Sequence, residues 1–374
     1  MQKTSNFFRI TLIYFISLVL FVGLRIFFQY GLFSGMSSNL QDIISTVLIQ
    51  IVIMFLVPFL FYMLFYRKNP KLTFKMAGFK KITFRAVLIS LAIGLIAFFL
   101  NIVVSSIFNG FIQSIGFENN SSSSGAGADY SILAFFINVL CVAILPAICE
   151  EFLHRGLLMR NLFNSVSVKH ALIISSICFG LMHLNIVQVF YATILGLLIG
   201  FVSIVGKSIW PAIIIHFVNN FINVYLSFAK NNGWVFGNFY ELLSNFISNN
   251  WILSLITIMV VISVLLFLLL KLIMDLLKIT SFESFKKVVF NIKKTLNKDV
   301  VNYNTQEEVQ ETQYINDVEP ILVENIVKTH ANGSLFMPDI YNKEKLIFKD
   351  KIFIIATFFL GVFITLSTFI WGIL

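Results

Sequence analysis

Nine stretches of this chain are apolar for long enough to enter a bilayer, and they constrain the fold more than any other feature. They run over about 8–33, 42–66, 86–110, 131–160, 170–185, 187–206, 208–228, 250–277 and 352–374, the fifth being short. Crossing the hydrocarbon layer takes about 20 helical residues. There every backbone N–H and C=O needs a partner within the segment, as a helix provides. The fold expected is all-α, a polytopic transmembrane helical bundle of about nine spans. Composition agrees, with 58% of the 374 residues hydrophobic and 12% charged. The net charge of +9 then reads as loop charge that sets topology, and no nucleic-acid partner is expected. Cys141, Cys149 and Cys178 all lie in apolar runs without metal-ligand spacing and read as packing residues.

The loops give an orientation. Arg67, Lys68, Lys71, Lys75, Lys80, Lys81 and Arg85 follow the second run. No Lys or Arg occurs over 31–39 or 111–130, and the second of these holds Asn119-Asn120-Ser121-Ser122-Ser123-Ser124-Gly125. Basic loops stay in the cytoplasm, so the N-terminus is expected inside and the C-terminus outside. Arg160, Lys169, Lys207 and the lysines of 278–298 then all fall inside. The protein is expected in a cell membrane, with the bilayer as partner. Its wealth of Phe, Ile, Asn and Lys suggests an AT-rich bacterial genome. Arg25 is a lone charge in the first run, placed either to snorkel or to pair with an acid on another helix.

Residues 278–351 read as a cytoplasmic insert before the last span. Phe282, Phe285, Val289, Ile292 and Leu296 recur at helical spacing, with Lys286, Lys287, Lys293 and Lys294 between them. That is a basic amphipathic helix, suited to the inner leaflet or to packing on the protein itself. Residues 299–325 carry seven acids and no Lys or Arg, as a solvated linker would.

Chemistry enters at Glu150-Glu151-Phe152-Leu153-His154-Arg155, which ends the apolar run from Ile132 to Cys149. A charge near the middle of a membrane helix costs about 2.5–3.5 kcal/mol on insertion scales, and such residues mark functional sites by default. Glu151 and Arg155 are one turn apart in the favourable order. Their pairing would neutralise one acid and leave Glu150 free. His183, in Phe179-Gly180-Leu181-Met182-His183, and His216 with Asn220, one turn apart, are the other polar groups in apolar runs. At about 1.5 Å per residue from the basic surface, Glu150 lies about 15 Å deep, His183 about 21 Å, His216 about 14 Å and Asn220 about 20 Å. That is one layer, in the cytoplasmic half or near the middle. A carboxylate and an imidazole can activate water, and an imidazole and an amide can stabilise an oxyanion. His154 and His170 fall at or near the boundary and His330 in the linker; none is expected to act.

The set Glu150-Glu151-x-x-x-Arg155, Phe179-x-x-x-His183 and His216-x-x-x-Asn220 resembles the three motifs of the CAAX protease and bacteriocin-processing family of intramembrane endopeptidases. The resemblance covers about residues 131–228. It implies a helical core with a polar cavity open to the cytoplasm and the bilayer, and a membrane protein or peptide as substrate. It also implies that Glu150 and His183 activate water, that His216 and Asn220 form the oxyanion site, and that Glu151 and Arg155 support the first motif. The chain then divides into N-terminal spans (1–130), a protease-like core (131–228), an additional span (229–277), the insert (278–351) and a C-terminal span (352–374). The rival readings are a non-enzymatic bacteriocin-immunity or partner-binding protein of the same fold, and a transporter with a proton relay. No cofactor is required by this reading. Zinc is the candidate, with Glu150, His183 and His216 as a two-His, one-Glu set. Against it stand the histidines' separate helices, the nearby Arg155 and the lack of a residue to orient a ligand histidine.

Overall fold

The computed structural model describes residues 5–29, 35–36, 38–117, 129–249, 251–303 and 346–373. At 29, 38–39, 247–249, 251–252, 282–303 and 371–373 it describes the backbone alone. Among these residues all regular structure is helical. Eight helices are long and apolar enough to cross a membrane, and the helix Val168–Leu181 is shorter. The chain is an integral membrane protein built as a helical bundle.

Helix α1 spans Asn6–Gln29. Helix α2 runs end to end through Ser38–Val47, Leu48–Leu56 and Val57–Tyr66. The short α3 (Pro70–Met76) and the long α4 (Phe84–Ser114) follow. Helix α5 comprises Ile132–Asn138, Val139–Ile144, Leu145–Glu151, Phe152–Met159 and Arg160–Leu162. Helices α6 (Val168–Leu181), α7 (Ile186–Val205) and α8 (Trp210–Asn232) complete the segment bearing the three motifs. Beyond it lie α9 (Phe239–Asn249), α10 (Trp251–Tyr303) and α11 (Phe348–Ile373). Helix α10 continues through residue 278 without a break, so the eighth span and the expected amphipathic helix share one rod. The side chains that would make that helix amphipathic lie outside the described residues, as does most of the acidic linker.

Helices α2 and α5 contain π-helical stretches, Leu48–Leu56 in α2 and Val139–Ile144 and Phe152–Met159 in α5. Two of them run into a proline two residues on, Pro58 and Pro146. Proline has no N–H to return to the preceding turn, and the wider register before it takes up the slack. Such π turns re-aim side chains and favour functional sites. Here they flank the acids of α5 and contain Gln50 of α2.

Two apolar cores frame the site. One joins α1, α2, α5 and α6 through Tyr14, Met54, Phe152 and Cys178; the other joins α4, α7, α8 and α10 through Ile93, Ile199, Ile215 and Leu276. Over its most apolar window α8 is 56% buried and the α10 span 11%. Helix α8 is therefore central, and α10 is a lipid-facing strut with Phe267 and Leu270 exposed. The basic loops close one end of the bundle. Ile209 N–H and the Ser208 hydroxyl donate to the Gly78 carbonyl. Gly78 has φ of 89°, and a Cβ there would strike the Arg160 guanidinium. At the opposite end Asn232 donates to the Tyr130 carbonyl and Thr368 to the Leu184 carbonyl.

Candidate active site

The acids of α5 are separated by their partners. Glu151 is fully buried. Its Oε1 accepts from Arg155 Nη1 at 2.9 Å, the ion pair expected one turn on. The same oxygen accepts from His216 Nδ1 at 2.8 Å. Arg155, also fully buried, donates from Nη2 to the Gly196 carbonyl at 2.9 Å and lies 4.4 Å over the Phe179 ring. A Cβ at residue 196 would sit 3.1 Å from that Nη2, so glycine there lets the guanidinium reach α7. Glu150 is half-buried and faces the other way, and its Oε1 accepts from Gln50 Nε2 at 2.8 Å.

Hydrogen-bond direction fixes the histidines. His183 Nδ1 lies 2.9 Å from the Phe179 carbonyl, which only accepts, so Nδ1 carries the hydrogen. In the neutral ring Nε2 then keeps its lone pair. His216 Nδ1 likewise donates to the Glu151 carboxylate, and its Nε2 is left over. Asn219 Nδ2 donates to Asn220 Oδ1 at 3.2 Å, which turns the Asn220 amide so that its Nδ2 reaches the Val142 carbonyl at 3.1 Å. Pro146, having no N–H, cannot serve that carbonyl, and Asn220 does. Among the described residues one Asn220 N–H remains uncommitted.

Glu150, His183, His216 and Asn220 all line one cavity of ≈ 1000 Å³, together with Gln50 and Asn219. Glu151 and Arg155 do not line it and act from behind. The cavity runs from mid-bundle at Glu150 and His216 toward the end remote from the basic loops, past Ser106 and Arg25 to Tyr240. The positive-inside rule assigns that end to the exterior, whereas the resemblance implies a mouth on the cytoplasm. The outer half, too, is more polar than the spans alone suggest, with Thr46, Gln188 and Asn223 on its wall.

Residues 132–222 match the family described as Type II CAAX prenyl endopeptidase Rce1-like. This is the family of membrane proteases that the three motifs resemble, and all seven motif residues fall within the matched segment. No curated protein and no solved structure matches the chain. Two groups that hold the endopeptidase-like segment in place, Gln50 and Tyr14, come from helices outside it.

His154 is fully buried rather than at the boundary. Its Nδ1 donates to the Glu150 carbonyl at 2.7 Å, and its Nε2 lies 3.0 Å from the Tyr14 hydroxyl. With both nitrogens engaged it braces α5 against α1. His170 Nδ1 lies 2.6 Å from Ser167 Oγ at the exposed start of α6; His330 lies outside the described residues. Among the described residues no three His, Cys, Asp or Glu side chains converge to hold a metal ion. Glu150, His183 and His216 share a cavity without meeting at a point, so the residues as placed do not fit a zinc set. Orienting partners for both histidines do exist, however: the Glu151 carboxylate and the Phe179 carbonyl.

Proposed function

We propose that the chain is an intramembrane endopeptidase that cleaves a peptide bond of a membrane-associated protein or peptide with water activated by Glu150 and His183. The observation that carries this is the division of labour between the acids. Arg155 neutralises Glu151, which in turn fixes His216, while Glu150 keeps a carboxylate on the cavity. His183 leans on an uncharged carbonyl and presents a lone pair, which suits holding water. His216 leans on a carboxylate able to balance a proton on Nε2, which suits an oxyanion partner.

In this mechanism Glu150 takes a proton from water held between its carboxylate and His183 Nε2. The hydroxyl oxygen bonds to the scissile carbonyl carbon, whose electron pair moves onto oxygen beside His216 and Asn220. Collapse re-forms the C=O and breaks the C–N bond, and Glu150 returns its proton to the leaving nitrogen. Desolvation within the bundle strengthens each of these electrostatic contacts.

The test compares membrane proteins and released peptides from cells carrying wild type or Glu150→Gln. Fragments present only with wild type identify the substrate. His183→Ala is expected to erase them too, and Asn220→Ala to slow their release about 10²–10³-fold, as removal of one oxyanion donor does. Identical fragment sets, with Glu150→Gln still conferring the wild-type phenotype, would favour a partner-binding protein of the same fold.

A further inference from the structure

The cavity has a floor at the reacting groups. On α5 its wall runs from Cys141 to Glu150 and takes nothing from the turns beyond, and on α2 it runs from Thr46 to Met54. On α8 it starts at His216 and ends at Asn223. Helices α2 and α5 run toward the basic end and α8 away from it, so all three stop at one level. Aromatic rings fill the bundle on the far side of that level. Phe55 and Phe152 lie 4.6 Å apart, Phe59 and Phe74 5.4 Å, and Phe74 and Phe79 5.4 Å. Phe152, just past Glu150, is fully buried, while Phe74 and Phe79 belong to the basic loop itself. That loop closes its own end, pinned by the bonds from Ile209 and Ser208 to Gly78.

The opposite end is the way in. Its rim includes Ser106 of α4 and Tyr240 and Ser244 of α9. Tyr240 donates to Asn223 Oδ1 at 3.2 Å, which seats α9, a helix outside the endopeptidase-like segment, beside the passage. Between rim and floor the wall carries neutral amides, Asn101, Gln188, Asn219 and Asn223. Amides both donate and accept, as the main chain of a peptide does. From His216 to the end of α8 at Asn232 is about 24 Å, and from Glu150 back to Ile132 about 27 Å. An extended chain advances about 3.3–3.6 Å per residue, so about seven or eight residues reach the floor.

We propose that the site draws its substrate from the exterior, as an unfolded segment of an exported peptide or membrane protein that enters about seven residues deep. This rests on the endopeptidase reading above and on the cytoplasmic placement of the basic loops. It excludes lipidated proteins of the inner leaflet, whose chain would meet the aromatic floor.

The test uses full-length protein in intact cells and a membrane-impermeant maleimide. Ser244→Cys and Lys81→Cys are each made in a Cys141→Ala background, because Cys141 is on the wall. Ser244→Cys is expected to react in intact cells, and Lys81→Cys only after permeabilisation, where both must react if they accumulate. Ser106→Cys is the second rim position should Ser244→Cys fail to accumulate. A bulky maleimide on Ser244→Cys should stop the cleavage that depends on Glu150, with Cys141→Ala protein given the same reagent as reference. The sites that vanish with Glu150→Gln should lie in exterior segments, at least about seven residues from a folded domain or span. Protection of the rim cysteine in intact cells, reaction of Lys81→Cys there, or Glu150-dependent sites confined to cytoplasmic segments overturns the proposal and leaves the endopeptidase standing. If no cleavage depends on Glu150, the endopeptidase reading fails by itself, and labelling alone decides. A rim cysteine that reacts from outside then upholds the exterior cavity, and a protected one overturns it.

Discussion

The two sides of one turn of α5 obey opposite rules. Toward the bundle interior, Glu151, His154 and Arg155 are fully buried and tied to other helices: His216 on α8, Tyr14 on α1 and Gly196 on α7. Toward the cavity, Glu150, His183, His216 and Asn220 each keep one atom uncommitted among the described residues. Buried charges survive in such a place only when paired, so the first side serves as frame. The second side holds groups whose lone pairs and hydrogens have no other use, which is what a reaction needs. Adjacent glutamates thus differ in role because a helix points neighbours in different directions.

The largest effect should come from breaking the frame. Arg155→Leu strands the Glu151 carboxylate in the core, and removing one partner of a buried pair costs about 3–5 kcal/mol. That is comparable to a whole domain's margin of about 5–15 kcal/mol. The variant should accumulate poorly and melt early in detergent, with activity lost as a consequence. Glu150→Gln should accumulate and melt like wild type while being inactive. If Arg155→Leu melts with wild type, the division between frame and working groups fails.

Much of this was legible before the structure because lipid makes polar residues conspicuous. Nine apolar runs and four polar intrusions sufficed to place the spans and to bring Glu150, His183, His216 and Asn220 to one layer. The partners of those residues were not legible. Glu151 was expected to serve its own motif, but it also fixes His216, a contact between distant helices that no spacing encodes. His154 looked like a boundary residue because an arginine and a lysine follow closely, and only packing against Tyr14 and Phe179 reveals it as core. Gln50 did leave a signal, as a lone amide within the apolar stretch of α2. Its value depended on knowing that a π-helical turn aims it at Glu150.

Gln50 tests the cavity side more gently. Its Nε2 donates to Glu150, while its own Oε1 is buried without a partner among the described residues. Gln50→Leu removes one hydrogen bond to a carboxylate, worth about 1.5–3 kcal/mol, and with it an orphaned oxygen. Stability should hold or rise, and kcat should fall about 10- to 100-fold with little change in KM. Gln50→Glu should not rescue it, because it sets a second carboxylate where a donor is needed. A fall in melting temperature together with an unchanged kcat would make Gln50 a packing residue.

The smallest effect is expected from chelation, and it bears on the same division. Were Glu150, His183 and His216 zinc ligands, all three would have to meet one ion at about 2.0–2.2 Å. As placed they do not converge, and Glu150 is already engaged by Gln50. The orienting contacts on the histidines suit either role, since a ligand histidine also needs its far nitrogen held. What separates the roles is Nε2 of His216. Bound to zinc it has no hydrogen to give an oxyanion; without metal it can carry one, balanced by Glu151. Incubation with a strong chelator should therefore leave cleavage unchanged, and elemental analysis of active protein should find zinc well below one per chain. Stoichiometric zinc whose removal stops cleavage, and whose return restores it, would move His216 from oxyanion partner to ligand and require the cavity to close around the ion.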